Sequence, residues 1–293
     1  MAGLKEIRTR IASVKTTRQV TSAMKMVSAA KLKKAQDVIY QIRPYADKLH
    51  DIMVSLSSNI RKTENCIYTQ ARESEKILIV LISSNRGLCG SFNVNIVKKA
   101  VDWVHTRYQL HHQLEDVEFL CIGKQGERQV KLRGMKVVES HHEIYETFDN
   151  EHIYALAEMI MKSFVSGRYD KIELIYNRFL NAAVQINTVE QLLPIEMDEQ
   201  KKNEQYYDYI FEPSKEYIIR ELIPLSLKTQ FLKAMLESQA AEQGARMTAM
   251  HQATDNATDL LKDLTLTYNK LRQASITNEI LEIVSGAEAL KGS

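Results

Sequence analysis

The chain is short of everything that marks a stapled, metal-bound or membrane-spanning protein. Among 293 residues there are three cysteines, four prolines, ten glycines and one tryptophan. Cys66, Cys89 and Cys121 are odd in number, far apart and without CxxC spacing, so a disulfide scaffold and a zinc site are both excluded as first readings. The longest clean apolar run, Ile77 to Ile82, is far too short for a membrane span. The amino terminus opens directly into a helical pattern with no signal-peptide core. A formal net charge of +2 argues against a dedicated nucleic-acid binder.

Scarce proline and glycine leave two long stretches with little to interrupt a helix. From Leu4 to Leu56 there is no glycine, and Pro44 is the one breaker. Ile7, Val14, Thr21, Ser28, Ala35, Ile42, Leu49 and Leu56 recur every seventh residue, the spacing of a coiled-coil seam. A second seam starts as Leu4 and Ile11 and is expected to change phase, continuing as Val38, Tyr45 and Ile52, with Arg18, Lys25 and Lys31 between. The same helix has no acid between Glu6 and Asp37 but carries Arg8, Arg10, Lys15, Arg18, Lys25, Lys31, Lys33 and Lys34. An ordinary charge run is a solvated face; one that coincides with a polar break in a seam points to a docking surface for an acidic partner. The second stretch runs from Ser214 to Leu290, with Pro224 near its start and Gly244 inside. At 1.5 Å per residue about 70 helical residues reach about 100 Å, too long for a globular domain to bury, so another long element is expected beside it. Its middle is narrow (Ala240, Ala241, Gly244, Ala245, Ala249, Ala253 and Ala257), and Gly244 predicts a close contact. Leu260, Leu261, Leu264, Leu271, Ile280 and Ile283 then form an apolar stripe, beside the donors Arg272, Gln273, Ser275 and Thr277.

Between these stretches the periodicity becomes that of strands. Buried strands are predicted at 76–82, 117–123, 135–139 and 171–176, with a further, more exposed one from Phe179 to Leu193. Helices are predicted at about 91–113, 124–132 and 151–166, giving an α/β sandwich with a largely parallel sheet. Residues 58–76 and 197–212 read as polar connections. The predicted division is a helix at 1–57, an inserted Rossmann-like α/β domain at 76–195, and a helix at 212–290 that pairs antiparallel with the first.

Little in this sequence resembles a catalytic set. The turn SSNRGLCGS after the first strand has GxxG rather than GxGxxG spacing, and no GxxxxGK[ST] occurs. A structural turn or a protein-contact loop is the better reading than a phosphate site. Cys89 close to Arg86 is a candidate for a thiol of lowered pKa. His111–His112 and His141–His142 lack a carboxylate or cysteine spaced to complete a metal site, and read as surface histidines. An α/β enzyme with a helical oligomerisation arm, and a helical scaffold for nucleic acid, are the alternatives. Tight small-substrate binding would mark the first, and salt-sensitive DNA or RNA binding the second.

Three segments, IRTRIASVKTTRQVTSAMKMVSAAKLKKAQ, SSNRGLCGSFN and ARMTAMHQATDNATDLLKDLTLTYNKLRQASITNEILEIVSGAEAL, resemble in this order the gamma subunits of F-type ATP synthases. The resemblance covers essentially the whole chain. It implies the rotating central stalk: paired terminal helices inside a ring of alpha and beta subunits, and an α/β foot against epsilon and the c-ring of the membrane sector. It implies no cofactor, metal or catalytic residue in this chain, and a peripheral position on the cytoplasmic face of the bacterial inner membrane. Residue by residue, Arg272, Gln273 and Thr277 resemble the cluster that bonds an acidic loop of beta. Met24 and Lys25 match the segment facing beta's mobile carboxy-terminal region, and Arg86 to Gly90 with Lys98 the part touching an adjacent beta subunit. Ile283 to Leu290 match the end held in an apolar sleeve of alpha and beta.

Overall fold

A computed structural model describes residues 2–60, 67–69, 72, 76–108, 116–195 and 215–291. The predicted connections at 58–76 and 197–212 lie largely or wholly outside the described residues, as do His111 and His112. The elements are α1 (Ala2–Ile60), β1 (Ile77–Ile82), α2 (Phe92–Arg107), β2 (Val117–Ile122), α3 (Lys124–Leu132), β3 (Lys136–His141), α4 (Ile144–Thr147), α5 (Asn150–Val165), β4 (Lys171–Phe179), β5 (Gln185–Leu193) and α6 (Lys215–Lys291). Two compact units divide the chain, one made of Met1–Ser28 with Met247–Ser293, the other of Ala29–Arg246.

In the larger unit one five-stranded sheet has the order β3-β2-β1-β4-β5. The first four strands are parallel and β5 returns antiparallel along β4. All six residues of β1 are buried, as an unbroken run of isoleucine, leucine and valine requires when helices cover both faces. Ile77, Ile79 and Leu81 point with Val117, Phe119 and Cys121 into a cluster with Ile96, Val97, Ala100 and Val104 of α2 and Val130 of α3. The alternate residues Leu78 and Leu120 line the other face with Met159 and Ile160 of α5. β5 is the more exposed strand predicted, and begins at Gln185 because residues 180–184 form the turn.

The amino-terminal helix keeps its breaker: Pro44 lies inside α1. Its first seam is buried at Thr21, Ser28, Ala35 and Leu49. The expected phase change in the second seam does not occur. Val38 is 43% exposed and Tyr45 51%, whereas Ile39 is 2% exposed, and Leu32 and Ala46 are also buried. The series therefore runs from Leu4 and Ile11 through Arg18, Lys25, Leu32 and Ile39 to Ala46 at a constant spacing of seven. Side chains three or four apart share a helix face. From Ala35, the residue four on keeps the 4-3 alternation that the first half of the helix already uses; Val38 is apolar but lies one position off the stripe.

Polar contacts join α1, the sheet and α6 in this unit. Glu237 of α6 has a side chain 1% exposed. It accepts from Arg43 Nε at 2.6 Å, Arg43 Nη2 at 2.8 Å and the Phe179 amide at 2.8 Å. Arg43 Nη2 also donates to the Phe179 carbonyl at 2.7 Å. Lys233 donates to Asp47 at 2.6 Å, so ascending residues of α1 meet descending residues of α6 and the helices here are antiparallel. Gln230 reaches Glu190 of β5 at 2.7 Å. Gly244 makes the close contact its sequence predicts: a Cβ there would stand 3.2 Å from the Ala182 Cα and carbonyl oxygen.

The smaller unit repeats the heptad logic. Met250, Ala257 and Leu264 of α6 are buried at intervals of seven, and the Thr254 hydroxyl donates to Thr21 Oγ1 at 2.9 Å. Nineteen residues separate Thr21 from Ala2, and nineteen beyond Thr254 is Gln273, close to Ser275, the last residue of α6 that is not fully exposed among those with described side chains. Burial on α6 thus ends where an antiparallel α1 would run out.

Removing the Glu237 carboxylate leaves the Arg43 guanidinium and the Phe179 amide without their acceptor in a buried site. We expect Glu237→Leu to lower unfolding free energy by about 3 kcal/mol, measured by urea titration of the full chain; a change below about 1 kcal/mol would show that the clamp is dispensable.

Candidate functional site

The β1–α2 turn is built from its own side chains. Ser83 and Ser84 are fully buried. The Ser84 amide donates to Asn93 Oδ1 at 3.1 Å, and the Ser84 hydroxyl donates to the Arg86 carbonyl at 2.7 Å. Asn93 Nδ2 donates to Ser84 Oγ at 2.8 Å and to Cys89 Sγ at 3.2 Å. Asn85 Nδ2 donates to the His142 carbonyl at 2.8 Å while its Oδ1 accepts from the Lys124 amide at 3.1 Å. Tyr145 donates to the Ser83 carbonyl at 2.6 Å. The Gly126 amide at the start of α3 donates to Ser83 Oγ at 2.9 Å, and the Phe92 amide to the Cys89 carbonyl at 3.3 Å. The Ser84, Phe92 and Gly126 amides therefore already have acceptors.

The turn is also held from α6. Arg246 Nη2 donates to the carbonyls of Arg86 at 3.1 Å and Gly87 at 3.2 Å, and Nη1 to Glu242 Oε1 at 2.5 Å. Burial raises the Glu242 carboxyl, and the charges of Arg246, Lys31 and Arg86 oppose the shift. Cys89 is not the activated thiol that its closeness to Arg86 predicts. It is 1% exposed, and burial pushes its pKa up, outweighing the Ser84 hydrogen bond and the Arg246 charge. Cys121 is pushed up to about 12 by burial.

Histidine environments also differ from expectation. Carboxylates do reach the pair: His142 Nε2 lies 2.8 Å from Glu127, fifteen residues back, and His141 Nδ1 lies 3.2 Å from Glu143, two residues on. The two imidazoles are half-buried rather than surface groups. Among the described residues no group of three or more metal-ligating side chains forms.

Of the residues singled out in the sequence, Arg86 and Lys98 lie in the larger unit and are exposed, on the turn and on α2. Met24 and Lys25 are half-buried on α1 in the smaller unit. Arg272, Gln273 and Thr277 are exposed on α6 of that unit, with the Thr277 hydroxyl donating to the Gln273 carbonyl at 3.0 Å. The predicted apolar stripe is buried at Leu264, but Leu271 is 40% exposed and Ile283 71%. Sequence reasoning passed over Glu242 and Arg246, although an acid and a base four apart in an alanine-rich helix are a legible i,i+4 pair. It also passed over Gly123 and Gly126, a second GxxG directly after β2. A Cβ on Gly126 would stand 2.4 Å from Ser83 Oγ, and one on Gly123, whose φ is +104°, would stand 2.4 Å from the Ser83 carbonyl oxygen.

In the larger unit a mostly parallel sheet covered on both faces, with segments of α1 and α6 bonded to it, defines a protein of the α/β class. The family described as ATP synthase matches residues 3–290. A protein of Flavobacterium johnsoniae named ATP synthase gamma chain is 53% identical over 292 residues, covering all of both chains. One of Cytophaga hutchinsonii with the same name is 48% identical over 293 residues and 99% of each chain. The chain belongs to the ATP synthase gamma chain family. Among solved structures, a chain of the Tetrahymena thermophila mitochondrial ATP synthase central stalk and c-ring is 25% identical, with a TM-score of 0.59 over 80% of this chain and 99% of that one. A chain of the Euglena gracilis mitochondrial ATP synthase rotor has the same fold, with a TM-score of 0.64 at 20% identity over 94% of this chain and 99% of that one.

Gly126→Ala forces a methyl group into Ser83, at the hub of the turn. We expect a loss of about 2 kcal/mol in urea denaturation, whereas Gly134→Ala, with open space at its Cβ but φ +74°, loses about 1 kcal/mol. Equal losses would show that the approach to Ser83 carries no special cost.

Proposed function

We propose that this chain is the rotating central-stalk subunit of an F-type ATP synthase, coupling transmembrane ion flow to ATP synthesis or hydrolysis in a catalytic ring of alpha and beta subunits. The observation that carries the reading is end-to-end likeness to gamma chains, 53% identical with no uncovered portion in either chain. In this reading the chain supplies no catalytic group, and the burial of Cys89, which pushes its thiol pKa up, supports that part. Residues 1–57 and 212–290 form the shaft and 76–195 its foot, against epsilon and the c-ring. The chain is peripheral at the cytoplasmic face of the bacterial inner membrane, held there only through the complex, and bacterial relatives of full length support that setting.

Each candidate contact has a physical role in this reading. Arg272 stands exposed where α6 loses its buried stripe, so its guanidinium is available to fork onto a carboxylate of beta, with Gln273 and Thr277 beside it. Met24 and Lys25 meet beta's mobile region, and Arg86 and Lys98 an adjacent beta subunit. The exposed side chains of Ile280, Ile283 and Val284 suit an apolar sleeve.

Purification of the native complex through a tag on this chain should bring down alpha, beta and epsilon subunits; their absence would remove the reading. In membranes carrying Arg272→Ala, ATP-driven ion pumping should fall about tenfold or more, the scale of losing one partner of a close interfacial charge pair. Unchanged pumping would take Arg272 out of the contact.

A further inference from the structure

The end of β3 gathers acids around two imidazoles that the shaft reading leaves without a role. His141 closes the strand with a carboxylate at each ring nitrogen: Nδ1 lies 3.2 Å from Glu143 Oε1, and Nε2 lies 3.5 Å from Glu139 Oε2. Nε2 is buried and makes no hydrogen bond as it stands. A neutral imidazole has one N–H, so in that form its other nitrogen turns a lone pair toward a carboxylate. The imidazolium has a donor for each side. His142 is arranged differently. Its Nε2 lies 2.8 Å from Glu127 Oε2, while its Nδ1 has no hydrogen-bond partner among the described residues, so a single N–H serves it.

The other charges around His141 leave these acids in place. Arg168 Nη1 lies 3.7 Å from Glu139 Oε1, and Lys131 donates to Glu127 Oε1 at 2.6 Å. The residue opposite His141 on β2 is the apolar Ile122. The hydrogen bond from Lys131, helped by Ser140 and His142, holds the Glu127 carboxyl below its usual range. A hydrogen bond from its own backbone amide, helped by His141, does the same for Glu143. Both acids therefore stay charged over the range in which an imidazole gains or loses its proton.

We infer that His141 is the proton sensor of a clasp that, when protonated, bridges Glu139 of β3 to Glu143 at the start of α4, and when neutral lets one of them go. The clasped segment leads on to the β1–α2 turn. Glu143 Oε2 accepts from the His142 amide at 2.9 Å, and the His142 carbonyl accepts from Asn85 Nδ2 at 2.8 Å and the Tyr145 amide at 3.3 Å. The Tyr145 hydroxyl then reaches the Ser83 carbonyl at 2.6 Å. An imidazole gains charge as pH falls through about 6.5, so the clasp tightens on acidification and loosens as pH rises. It is a property of the folded chain and stands whether or not the chain is a shaft.

The test is amide hydrogen exchange of the full chain, corrected for the intrinsic pH dependence of exchange. Protection of the Tyr145 and Phe148 amides, which donate to the His142 and Ile144 carbonyls, should fall about tenfold from about pH 6 to about pH 8, the scale of one linked proton. His141→Gln should remove this response and hold both amides near the wild-type level of the higher pH. Glu143→Gln, which keeps the side-chain length but removes one charge, should cut the response to about threefold or less. A wild-type chain without the response overturns the clasp, and so does a His141→Gln chain that keeps it. If His141→Gln does not fold, Glu143→Gln decides: a response equal to that of wild type overturns the clasp.

Discussion

Much of the larger unit depends on one buried carboxylate. Glu237 joins three elements that the chain brings from far apart, α1 through Arg43, the end of β4 through the Phe179 amide, and α6 itself. A purely apolar seam between two helices tolerates sliding by a turn, because one leucine replaces another at similar cost. A carboxylate that accepts three directed hydrogen bonds has one register only, and a slip strands a buried charge. With Gly244 against Ala182 a few residues on, α6 is fixed both along its axis and in its approach to the β4–β5 turn.

Polarity is distributed differently in the two units. Where α6 passes the sheet, its buried face includes Phe231, Leu232, Met235 and Leu236 beside Glu237, so burial supplies the cohesion and the ions set the register. In the smaller unit the buried positions are sparse, Met250, Ala257 and Leu264 facing a helix whose own seam includes Thr21 and Ser28. Small and hydroxylic seam residues give little transfer energy but let two helices lie close. A slender pair of helices suits a part that must turn within other subunits.

Much of this was legible in the sequence, for physical reasons. The strands could be read because a sheet covered on both faces needs unbroken apolar runs, and β1 supplies six. Gly244 could be read because a glycine in a long helix is costly without a neighbour close by. The second seam of α1 was misread where an apolar residue, Val38, lies beside the position that geometry selects, Ile39. Composition does not distinguish adjacent apolar residues; the constant 4-3 alternation does. The direction of the Cys89 shift was not legible, because adjacency to Arg86 in sequence says nothing about depth, and depth sets the sign of the shift. The Glu127 carboxylate at His142 and the Arg246 grip on the turn come from other elements, beyond the reach of any local spacing, whereas Glu143, two residues from His141, was within reach.

The β1–α2 turn is a strand–glycine–helix junction, the usual place for a phosphate in an α/β sheet, yet its interior is filled by its own side chains. Phosphate sites leave amides at the helix start unpaired and keep bulky side chains away from them. Here Ser83 reaches across to the Gly126 amide and Asn93 turns back onto the Ser84 amide, so both of these donors are engaged from within. A turn tied by Ser83, Ser84, Asn93 and Arg246 to three other elements has fewer conformations to lose on binding, and lower ordering cost is what makes a small surface useful at an interface.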